Sequence, residues 1–103
     1  MIEFTIVNKV YQEVKNPKIV VPRGCRMFHI ATVKRRLKEY VVVLLLGPKE
    51  QNVYLMEIDM HSPEIFKTIK DDSEYNELFL FLLESHLLEI GQNELDLGPS
   101  GLG

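Results

Sequence analysis

Glu57, Asp59 and His61 recur at intervals of two residues. On an extended strand that spacing projects all three side chains from one face, and two carboxylates with an imidazole form a ligand set suited to a hydrolytic metal centre. His29 or His86 would complete such a centre only if the fold brought one of them near. The chain has no His-Glu-x-x-His run, and no Asp/Glu-x-Lys pair follows the strand. The same three residues also read as a solvated strand end. Glu57, Asp59 and His61 therefore stand as metal candidates, while no catalytic residue, resident metal or cofactor is assigned.

A second chemistry lies in the charge distribution. From Val14 to Lys38 there is no acidic residue and there are eight basic ones. Residues 1–39 hold nine Lys/Arg against three Asp/Glu, and residues 40–103 hold three against twelve, a division that the net charge of −3 conceals. Such lopsidedness bears on partners and association rather than on fold. Arg23, Arg26, Lys34, Arg35, Arg36 and Lys38 are the candidate contacts to an acidic protein or a nucleic acid, with Phe28 and His29 near enough in sequence to stack on bases. There is no helix-turn-helix pattern, glycine-aromatic ribonucleoprotein motif or zinc-finger spacing. Lys34–Lys38 also reads as a solvated turn or a charged sheet edge. The acidic Glu77, Glu84 and Glu89 are candidate counterparts, within one subunit or across an interface.

Cys25 lies between Arg23 and Arg26, whose guanidinium groups would favour a thiolate; an unpaired cysteine more commonly behaves as a small buried hydrophobe. Being the only cysteine, it excludes an internal disulfide and a multi-cysteine zinc site.

The elements that must position these groups follow from periodicity. Ile2–Val7 alternates as a half-buried strand, which Val10–Val14 resumes until Asn16-Pro17 breaks it. Lys18–Val21 reads as a second short strand and Pro22-Arg23-Gly24 as a turn. Met27–Val33 reads as a third strand, with a helix as competitor because Ile30, Val33 and Leu37 also fall at helical spacing. Tyr40–Leu46 is apolar on both faces, as in a covered central strand. Gly47–Asn52 is turn-like, and Val53–Met60 returns antiparallel.

Ser62-Pro63-Glu64 reads as a helix start, opening a short helix to about Lys70. Asp71-Asp72-Ser73 caps a longer helix, Glu74 to Ile90, ended by Gly91. A helical wheel places Tyr75, Phe79, Leu82, Leu83, His86 and Ile90 toward the sheet. Phe81 and Leu88 fall on the opposite side, where they are candidate dimer contacts.

The expected fold is thus α+β: a largely antiparallel, meandering sheet of four or five strands with two C-terminal helices packed on one face. Residues 1–91 form one domain and 92–103 a flexible tail. With 46% apolar and 26% charged residues, the chain belongs with ordinary globular proteins. The longest apolar run, Tyr40–Leu46, is too short to cross a bilayer, and the expected setting is cytoplasmic. The leading functional expectation is a small non-catalytic interaction or regulatory module, homodimeric, that engages a macromolecule through its basic surface. Nucleic-acid binding through that surface is the alternative, and a metal-dependent hydrolase the third.

Overall fold

The computed structural model describes residues 3–17, 20–63 and 65–89. Five antiparallel strands follow one another as neighbours: β1 (Thr5–Glu13), β2 (Arg26–Arg35), β3 (Lys38–Leu46), β4 (Gln51–Ile58) and β5 (Phe66–Thr68). One helix, α1 (Asp72–Glu84), completes the described elements. The sheet is a meander, as expected, but one helix rather than two accompanies it.

β2 runs through Lys34 and Arg35, and its Phe28, Ile30 and Val33 are fully buried in the helix-side core. Lys34 pairs with Glu39 and Arg35 with Lys38, leaving Arg36-Leu37 as a two-residue loop. Arg36 adopts φ 57°, the left-handed backbone conformation that tight hairpin loops require. A register irregularity between His29 and Ala31 inserts Ile30 as an extra residue; Ile30 and Ala31 both join the helix-side core, while Thr32 resumes the other face.

The expected short helix after Ser62 is replaced by β5. Asp59 accepts the His61 amide through its carboxylate, and the backbone bonds Asp59–Ile65 and Ile65–Ser62 fold the chain back on β4. Phe66 then pairs with Ile58 and packs on the second face of the sheet. An aromatic residue and a β-branched one within Phe66–Thr68 suit that edge better than a short isolated helix. Lys18 and Ile19 of the expected second strand lie outside the described residues, while Val20 and Val21 are irregular. The expected tail, 92–103, and Gly91 as helix terminator also lie outside them.

α1 begins where Asp71 accepts the amides of Ser73 and Glu74. It ends earlier than the sequence suggests. His86 takes φ 59°, its amide bonds the Leu83 carbonyl, and the Leu87 amide reaches back to Leu82. This is a Schellman stop, sealed by the buried side chains of Leu82 and Leu87.

The main core lies between sheet and helix: Phe28, Ile30, Val33, Tyr40, Val42, Leu44 and Leu55 meet Leu78, Leu82 and Leu87. The second face of the central strand, Val41, Val43 and Leu45 with Met27, is packed by Val14, Val21, Met56, Ile58 and Phe66. Val14 is fixed there by its amide's bond to the Met27 carbonyl, 2.8 Å.

Candidate interaction surface

The two-residue β2–β3 loop turns Arg35, Lys38 and Tyr40 toward the first turns of α1. Lys38 Nζ lies 3.0 Å from Glu74 Oε2 and 3.8 Å from Glu57 Oε1. Tyr40 donates its hydroxyl to the same Glu74 carboxylate. Arg35 donates to Glu77 Oε2 at 3.0 Å, and its guanidinium stands 4.2 Å from the Phe4 ring centroid. The hydrogen bond to Glu74 raises the Lys38 pKa. Burial, then the Glu74 hydrogen bond, pushes the Tyr40 phenol up. Burial also pushes Glu74 upward, but the bonds from Tyr40 and Lys38 outweigh it and hold the carboxylate below its usual range. All three shifts deepen the ordinary protonation states. Through these bonds the Glu74 carboxylate acts as a clamp between hairpin and helix.

Arg26 is engaged in the same way. It donates to both Glu13 oxygens, at 2.9 and 3.0 Å, and its guanidinium lies 5.2 Å from the Phe28 centroid. The hydrogen bond from Arg26 lowers the Glu13 pKa despite some burial. Of the six basic candidates, Arg26, Arg35 and Lys38 thus face carboxylates of their own chain. Arg23, Lys34 and Arg36 are exposed and make no ion pair among the described residues. Leu37, which follows Arg36 in the β2–β3 loop, is 76% exposed.

The Glu57, Asp59 and His61 set is not assembled. β4 ends at Ile58, so His61 sits in the turn and the two-residue alternation does not reach it. Glu57 faces Lys38, whereas Asp59 serves the His61 amide and lies 3.9 Å from Lys67. Among the described residues no cluster of three or more metal-ligating side chains occurs. His29 is on a different strand, with Nε2 3.0 Å from Thr32 Oγ1, and exposed His86 pairs with Glu89 at 3.1 Å. Cys25 is half-buried, its Sγ only 3.2 Å from where a Cβ on Gly47 would stand.

Phe81 and Leu88 are also relocated. Both pack against the main core, and Phe81 lies 5.4 Å from Phe4 between ring centroids. The wheel misjudged the orientation by about a quarter turn, because the apolar residues of α1 spread over two faces. Leu78 and Leu82 are fully buried in the core, and Glu74 and Glu77 pair with the hairpin from the adjoining flank. Tyr75, Phe79, Leu80 and Leu83 are exposed. Of the residues expected to face the sheet, Leu82 does so, whereas Tyr75, Phe79 and Leu83 are turned to the surface.

No family model, curated protein or solved structure matches this chain. Its surfaces alone therefore carry the functional reading. No helix among the described residues is long and apolar enough to cross a membrane.

Proposed function

We propose that this protein is a small non-catalytic interaction module that docks on an acidic protein through the β2–β3 tip. The observation that carries the reading is the exposed Leu37 set among Lys34 and Arg36, cations with no ion pair among the described residues. An apolar side chain at the centre of a charged rim suits a protein partner, in which burial anchors the contact and charge steers it. A nucleic-acid groove would draw on a wider cationic field, and three of the six basic candidates are already neutralised by carboxylates.

The test compares wild type with Lys34→Glu/Arg36→Glu/Leu37→Ser. Proximity labelling in cells should enrich an acidic protein with wild type but not with the variant, and the purified pair should bind with a modest salt dependence. Anisotropy with single- and double-stranded DNA and RNA should show no binding at low salt. Oligonucleotide binding that is abolished by the variant and falls by about 0.7–0.9 log units per log unit of salt for each phosphate neutralised would replace the protein partner with nucleic acid.

A further inference from the structure

We infer that the acidic partner of the β2–β3 tip is a second copy of this chain, which receives the tip in a cleft beside its own tip. This rests on the tip reading and names the occupant. The cleft, about 500 Å³, lies between the residues leading into β1 and the C-terminal half of α1, and is lined by Phe4, Leu80 and Phe81 with Glu3 and Glu84. Leu80 is exposed there, with no side chain of the described core covering it.

The cleft and the tip are opposite in charge. Residues 71–103 contain no Lys or Arg. Arg35, the cation that lines the cleft among the described residues, is engaged by Glu77 and stands over the Phe4 ring. Glu3 and Glu84 are exposed and make no ion pair among the described residues. Lys34 and Arg36 are the counterparts on the tip, with Leu37 as its apolar projection. Two carboxylates beside exposed Leu80 thus match two cations beside exposed Leu37, so that burial of the leucines anchors the contact and the charges orient it.

The tip is held away from the cleft of its own chain. Only Arg36-Leu37 lies outside the β2–β3 register, and Arg35 and Lys38 on either side of it are tied to α1 through Glu77 and Glu74. A projection fixed in this way loses little freedom on docking. Arg35 and Glu77 line the cleft and also line the neighbouring cavity with Arg36 and Leu37, so tip and cleft adjoin at one ion pair. A two-fold axis beside that pair sets each tip at the other copy's cleft and makes the contact twice. A foreign acidic protein would meet the tip once, whereas this chain carries both halves of the contact side by side.

Light scattering on the purified chain at high micromolar concentration should give twice the chain mass. The tip variant Lys34→Glu/Arg36→Glu and the cleft variant Glu3→Lys/Glu84→Lys should each give the single-chain mass with unchanged circular dichroism. Mixed in equal amounts, the two variants should recover twice the chain mass, because each tip then meets a cleft of opposite charge. A dimer that survives either reversal, or two monomeric variants that do not recombine, would overturn the inference. So would a monomeric wild type, which leaves the tip free for a different acidic protein that the labelling experiment would return. Failure of the tip reading itself registers differently, since labelling and mass would then both be indifferent to the tip variant.

Discussion

Glu74 binds two elements with a single carboxylate, holding the Tyr40 hydroxyl and Lys38 at once. Its removal strands a tyrosine that is itself fully buried. Glu74→Ala should therefore cost about 1–3 kcal/mol in urea unfolding, more than Tyr40→Phe, which leaves Glu74 still paired with Lys38. A double-mutant cycle showing no coupling between the two would remove the clamp. His29 supplies a pH test. Burial lowers its pKa from the ordinary 6.5, against an opposing backbone hydrogen bond at Ala31. The unfolded chain takes up a proton near 6.5 while the folded chain resists it, so stability is full above that value and falls as pH drops toward the folded pKa. Melting temperature should decline below about pH 6.5 in wild type, and this part of the decline should vanish in His29→Gln. Glu13 and Glu74 act in the same direction, but only below their ordinary 4.5. Neither the His29–Thr32 contact nor the role of Glu74 was visible from spacing. The first depends on the bulge at Ile30, and the second joins residues 34 positions apart.

At the scale of elements, α1 shows how local and tertiary signals divide the work. Its start is local: Asp71 holds two amides, and Asp71→Ala should lower stability by about 0.5–2 kcal/mol in denaturant melts. Its end is tertiary. His86 is an unusual residue for a left-handed stop, and the turn is held because Leu87 reaches back over buried Leu82. Leu82→Ala should cost about 2–5 kcal/mol and loosen the stop together with the core. Full retention of stability in that variant would place the helix away from the sheet. The segment after Ser62 illustrates the converse. Its serine and proline have helix-start chemistry, but Asp59 and the open edge of β4 turn it into a strand.

At the scale of the molecule, the charge split is partly neutralised across the fold. Arg35 and Lys38 of the basic half meet Glu77, Glu74 and Glu57 of the acidic half, shrinking the external field. The sequence by itself determined the antiparallel meander, the doubly covered central strand and the Asp71 cap, because alternation, β-branched runs and capping chemistry act over a few residues. Only the tertiary structure decided which face of α1 points inward, which basic residues remain available and whether Glu57, Asp59 and His61 converge. Those outcomes depend on ion pairs and packing between segments far apart in the chain, which periodicity does not register.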